Sequence, residues 1–411
     1  MDHSDGDRQT VSRVAGGGGS EAYQPVGGVI VQGAAIVYRL YDVGFEINLD
    51  RVFEILAASD SASASGSGGP SRLRPIRGEA QAIQIANPPV TIALGTEPIG
   101  ALPAGARGPA EVSARIFDFG VVSLRLQIPA TEMTWAEFTA FGNAVDVGID
   151  LSPLFERHLT ALLARISPAV ERPAVAKVTE DYVVFRITQP TTPATISITH
   201  PTTPASISAD AWRDEDIAPL LLNERRPLSA TARRELLPHR FSYYTDDLTI
   251  LTWDNALIVE PTADDADVQY ILEFANAQLL ELRVYDAILD GQLPAVYDRV
   301  GAARARAGLL RGRYAAILAD LQALVADSTE LVERVESALK VTDDVYLARI
   351  YTAALEIFRG REWRAAIDRK LAIIRETYVM LNAEAQAARS EALEVLIVIL
   401  ITAEILLAIL K

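Results

Sequence analysis

The chain has 411 residues and no cysteine, and 54 acidic side chains against 38 lysines and arginines give a net charge of −16. Missing thiols exclude disulfides, thiol catalysis and cysteine-ligated metal centres. The negative charge disfavours broad binding to nucleic-acid phosphates. Half the residues are hydrophobic, enough for the cores of two or three domains.

Residues 1–24 are polar, contain a glycine run and lack an apolar signal stretch. They read as a disordered tail without a signal peptide. An α+β domain is expected over 25–262, with flexible loops at 58–75 and 189–209. Its first strand is VGGVIVQGAAIVYRLY, residues 26–41, rich in β-branched side chains. Asn48 then caps a short helix reaching Leu56. Strands follow near 76–85 and 90–94, separated by the Asn87-Pro88-Pro89 turn. A hairpin joins 112–117 to 121–128 through Asp118-Phe119-Gly120. Helices fit 133–145 and 151–166, the second stopped by Pro168.

The same order then recurs. A strand spans 176–187, helices fit 211–222 and 229–237, and strands at 241–244, 248–253 and 256–259 turn at Asp246-Asp247 and Asp254-Asn255. Two similar halves are expected. Between them PTTPATIS, residues 190–197, returns as PTTPASIS at 201–208. Two copies are too few for a solenoid. Prolines at this density favour an extended surface loop.

From residue 263 the pattern is helical, and a helical domain is expected over 263–391. Val268, Leu272, Ala275, Leu279 and Leu282 line one face. A first heptad seam runs from Val296 to Ala338 through Leu310, Tyr314, Ile317, Leu321 and Leu324. A second runs from Ile367 to Ile409 through Leu371, Ile374, Tyr378 and Leu381. Spacings alternate between four and three without a break. Two seams of equal length, each roughly 64 Å as a helix, joined by a short connector with its own helix near 344–358, predict an antiparallel helical hairpin.

The end of the second seam is apolar on nearly every face. Thirteen of the nineteen residues from 392 to 410 are Leu, Ile or Val, among them Leu393, Val395, Leu396, Ile399, Leu406 and Ile409. Their insertion energy would outweigh the central acid Glu404. The expectation is a single transmembrane helix with the bulk of the chain on the cytoplasmic side.

No nucleotide fingerprint is present: Gly27, Gly28 and Gly33 lack both the dinucleotide and the Walker spacing. His3, His158, His200 and His239 are not spaced as metal ligands, and SGSGG in the serine-rich loop is not a nucleophile elbow. Acidic clusters at Asp264-Asp265-Asp267 and Asp343-Asp344 read as helix starts. Arg299, Arg304, Arg306, Arg311 and Arg313 form either a solvated face or a contact to phosphates of lipid or RNA. No catalytic residue, cofactor, metal or small-molecule substrate is indicated.

One resemblance enters here. RFSYYTDDLTILTWDNALIVEP from Arg240, VQYILEFANAQLLELRVYD over 268–286, and EIFRGREWRAAIDRKLAIIRETYVMLN before the apolar end resemble the required-for-meiotic-nuclear-division, or YagE-like, family. The likeness covers roughly Val178 to Lys411, and ARIFDFGVVSLRL matches more loosely. The resemblance implies an α+β part, a helical part and a C-terminal membrane helix. It also implies organellar roles in eukaryotic members, including support of mitochondrial translation, but no catalytic residues. The resulting expectation is α+β: a two-part strand, helix and hairpin domain, then a long helical hairpin. The expected function is a membrane-anchored, self-associating scaffold without catalysis. An adaptor for a ribosome or other nucleoprotein is the first alternative, and an enzyme with a site in the α+β domain the second. Expected partners are membrane lipid and further copies of the chain.

Overall fold

The structure is a computed structural model. It describes residues 30–62, 69–72, 87–100, 109–191, 209, 212–224, 226–261, 267–305 and 344–410, with 319, 322, 323 and 326. The repeat at 192–208, the strand expected at 76–85, and Asp264, Asp265 and Asp343 lie outside these residues.

Eleven strands are described: β1 Ile30–Asp42, β2 Glu46–Ile47, β3 Ser71–Arg72, β4 Val90–Glu97, β5 Ala110–Ile116, β6 Val121–Thr134, β7 Val170–Glu171, β8 Thr179–Thr191, β9 His239–Phe241, β10 Leu248–Leu251 and β11 Asn255–Val259. Nine of them form one sheet in the order β3-β4-β5-β6-β1-β8-β11-β10-β9, and β2 pairs with β7. All neighbours are antiparallel except β8 and β11. That exception separates the two expected halves. β1 meets the last strand of its half, β6, antiparallel, whereas β8 meets β11 parallel. The halves share an order of elements but not a pairing scheme.

Local chemistry sets the boundaries. Asn48 caps α1, Leu49–Ala62, by accepting from the Arg51 N–H at 2.9 Å. Thr134 and Glu137 form a capping box at the start of α2, Trp135–Val147. α3, Ser152–Ile166, carries proline in its first turn, where no N–H is needed. α4, Asp214–Leu221, and α5, Ala230–Leu236, follow β8. Helices α1 to α4 cover one face of the sheet over a core that includes Phe138, Phe141, Phe155, Phe185 and Trp212.

The other face is covered by α6, Asp267–Ala305, and α7, Val345–Ile357. Asp344 caps α7, accepting from the N–H groups of Tyr346 and Leu347. Phe358 closes this second core against Tyr182 of β8 and Trp253. Arg359, left-handed at φ 54, separates α7 from α8, Gly360–Ile409. Trp363 of α8 lies beside Arg283 of α6. Lys370 of α8 bonds Asp286 and Asp290 at 2.7 and 2.5 Å. Numbers rise together along both helices, so α6 and α8 run parallel. Residues 296–305, the start of the seam expected as the antiparallel partner, belong to α6, and its residues Leu310, Tyr314, Ile317, Leu321 and Leu324 lie outside the described residues.

The membrane expectation is overturned. Among the described residues no helix is long and apolar enough to cross a membrane. The described apolar end of α8, Leu393–Ile409, reaches only about 26 Å, and it carries Glu394 and Glu404, acids that oppose insertion. The expected C-terminal span, the membrane localisation and the membrane-anchored scaffold built on it are corrected accordingly.

Candidate functional site

The first half of α6 is the centre of the molecule. Every residue from 269 to 282 is buried, because the sheet lies beneath and α7 and α8 pack alongside. An all-round buried helix should be apolar, yet Gln269, Glu273, Asn276, Gln278 and Glu281 are each below 5% exposed. Buried polar groups need partners, and the sheet supplies several. Arg115 of β5 pairs with Glu273 and lies over the Tyr270 ring at 5.0 Å. Arg186 of β8 donates to Gln269 at 3.4 Å. Arg283 of α6 pairs with Glu180 of β8.

Strand alternation places these groups on one face. In β6, Val122, Leu124 and Leu126 face the first core, so Ser123, Arg125 and Gln127 face α6. Tyr38 lies directly opposite Arg125 on β1, and Ala34 opposite Arg186. The Tyr38 hydroxyl is pushed up to about 12 by burial. Arg125, Arg115 and Arg186 oppose that rise, while Glu273 reinforces it. Three guanidiniums and one carboxylate therefore act on one buried phenol. Burial and the neighbouring Arg125 both lower the Arg186 pKa. Within this cluster Ser123 Oγ, Arg125 Nε, Arg186 Nε, Gln269 Nε2, Tyr270 OH and Glu273 Oε1 are buried without a hydrogen-bond partner among the described residues.

A β-bulge forms one border. The pairing of β1 shifts register at Gly33 against both neighbours. A Cβ on Gly33 would stand 2.0 Å from the Arg186 carbonyl oxygen, so only glycine fits there.

Farther along α6 a cavity of about 260 Å³ opens between α6, α7 and the start of α8, lined by Gln278, Leu282, Tyr351, Leu355, Arg361 and Arg364 among others. The Tyr351 hydroxyl donates to Gln278, and burial raises its pKa.

The sequence-derived site residues are scattered. Ile367, Leu371 and Ile374 are buried where α8 begins, in the stretch running beside α6. Tyr378 is half-buried, and Leu381 lies farther along the same helix. Arg299 and Arg304 belong to the last turns of α6, and Arg306, Arg311 and Arg313 fall outside the described residues. Leu393, Val395, Leu396, Ile399, Glu404, Leu406 and Ile409 lie on the distal half of α8, all exposed. His158 pairs with Glu97 at 2.9 Å, and His239 opens β9. Among the described residues, none of the expected ones belongs to the polar cluster.

Fold and site together define an α+β protein whose mixed sheet carries a buried, cation-rich polar cluster beneath a central helix. The chain belongs to the family of the N-terminal domain of the uncharacterized protein MJ0711, whose model matches residues 32–266. That match takes in nearly all of the sheet and ends as α6 begins. The chain is similar to the uncharacterized protein MJ0711 of Methanocaldococcus jannaschii, 27% identical over 199 residues, 47% of this chain and 59% of that protein. The chain thus spans less than two thirds of that relative's length. No solved structure matches the chain. These matches do not confirm the YagE-like resemblance read from the residues after Arg240.

Proposed function

We propose that the chain is a non-catalytic assembly protein whose copies associate through the distal half of α8. The exposure of that half supports this reading. From Leu393 to Leu410 every side chain stands open to solvent, Leu393 at 60% and Leu410 at 81%. Contiguous apolar surface of this size marks an interaction site. The occupant is argued from the pattern. Ala388, Ala392, Val395, Ile399, Thr402, Leu406 and Ile409 continue, at spacings of four and three, the seam of Ile367, Leu371 and Ile374. The proximal seam is buried within the chain, alongside α6. The distal seam runs on without a described partner, and an identical helix offers a matching one. A two-stranded coil would leave the outer side of Val395–Ile401 wet, since all seven residues are apolar. Several helices bundled together would cover them.

Light scattering on the full chain and on a chain ending at Ser390 tests this. The full chain should sediment and scatter as a discrete oligomer without detergent, and the shortened one as a monomer. Monomers in both cases would sink the reading. So would a full chain that floats with phosphatidylcholine vesicles and shows no self-association.

A further inference from the structure

We propose that the cluster beneath α6 is a binding site for a phosphoryl dianion, either inorganic phosphate or a small phosphate monoester, gripped by Arg125 and Arg186. The inference is independent of the assembly reading, because the cluster lies in the sheet domain rather than on the distal half of α8.

Charge is the first argument. Arg115 and Glu273 neutralise each other. Arg125 and Arg186 form no ion pair among the described residues. The side-chain hydrogen bond described for each ends on a neutral amide, Gln127 for Arg125 and Gln269 for Arg186. Glu111 shares this face of β5 but is exposed. Two guanidiniums are thus partly withdrawn from water, close enough to disfavour each other's charge, in a chain with a net charge of −16. Partly buried charges without counter-charges are unfavourable, and a dianion would compensate both.

Geometry is the second. Each arginine has a buried Nε–H without an acceptor, the part of the guanidinium fork that a tetrahedral oxyanion engages. Gln269 Nε2, Tyr270 OH and Ser123 Oγ are further buried donors without partners. The three residues are 4%, 2% and 0% exposed. Tyr38, with its pKa pushed up to about 12, stays protonated and is able to donate. Gly33 and Ala34 occupy β1 beside Arg186, and Ser113 sits opposite Arg125 on β5. An arginine pair surrounded by neutral donors suits an anion rather than a cation, the one carboxylate being paired through Oε2 with Arg115 while its Oε1 stays buried without a partner among the described residues.

The test titrates the full chain with inorganic phosphate, and separately with glycerol phosphate, at constant ionic strength set by chloride. Thermal unfolding and calorimetry provide the readouts. One or both should raise the melting temperature in proportion to the logarithm of concentration. Tighter binding of the monoester identifies an esterified phosphate as the natural occupant. Arg186→Gln and Arg125→Gln should each weaken binding at least tenfold. Should either misfold by circular dichroism, Arg186→Lys keeps the charge but not the fork and should still weaken binding about tenfold. A phosphate effect no larger than that of chloride overturns the proposal. So does undiminished binding by folded variants.

Discussion

At the scale of single residues, burial decides the chemistry of two carboxyls. Asp42 ends β1 at 8% exposure. Its carboxyl accepts from the Gly44 backbone, which favours the ionised form, but burial outweighs this and pushes the pKa up to about 7. The folded chain therefore holds the proton more tightly than the unfolded one. The stability this contributes is fully present below about pH 4 and is lost as pH rises through about 7. Asp42→Asn keeps the acceptor and cannot ionise. The variant should exceed the parent in stability at pH 8 by on the order of 2–4 kcal/mol. The gap should close towards pH 4 in urea titrations, and a gap constant with pH would refute the assignment. Asp146 is pushed up to about 6 by burial and then by the charge of Asp254, so Asp146→Asn should show a smaller gap of the same sign. Gly33 is a steric matter. Its absent Cβ lets β8 close against the bulge, and Gly33→Ala should destabilise by more than about 2 kcal/mol.

Elements were legible in the sequence where local signals agreed. β1, the β5–β6 turn, α2, α3, α5 and the β10–β11 turn lie within a few residues of their expected places, because caps, turn residues and alternation act over short distances. The polar cluster was not legible. Arg115, Arg125 and Arg186 alternate with apolar residues in their strands, the pattern of a sheet with one wet face. Only strand order and the position of α6 turn that face inward. Gln269 and Glu273 likewise read as the polar side of an amphipathic helix. A cue existed in the run from 269 to 282, too apolar to leave a broad polar side. The same logic makes a sharp contrast along α8. Ile367, Leu371 and Ile374 are at most 3% exposed, so each replaced by Ala should cost about 2–5 kcal/mol. Val379, two turns on, is 65% exposed, and Val379→Ala should stay within about 0.5 kcal/mol. On α6, Glu273→Ala would strand the Arg115 guanidinium and should cost roughly 3–5 kcal/mol. Chemical denaturation measures all five, and a loss at Val379 equal to that at Leu371 would contradict the packing.

At the scale of the whole molecule, a folded body and an exposed helix share one chain, and their energetics should separate. The two cores flank the sheet and take in α6, α7 and the first turns of α8. Beyond Thr377 no residue of α8 with a described side chain is buried. Periodicity revealed the helix but not where its burial stops, because an unbroken heptad seam looks the same before and after its partner ends. Removing residues 391–411 takes away no buried described contact. At low protein concentration the shortened chain should match the full one in urea midpoint and in m-value, which tracks the surface exposed on unfolding. Agreement within about 0.5 kcal/mol is expected, the usual scatter for changes away from a core. Concentration should separate the two. If copies assemble through α8, raising the protein concentration stabilises the full chain alone, since only the folded oligomer gains by mass action. A drop in m-value on truncation at low concentration would show that the distal helix folds back onto the body. In that event the exposed seam would not be available to a second copy.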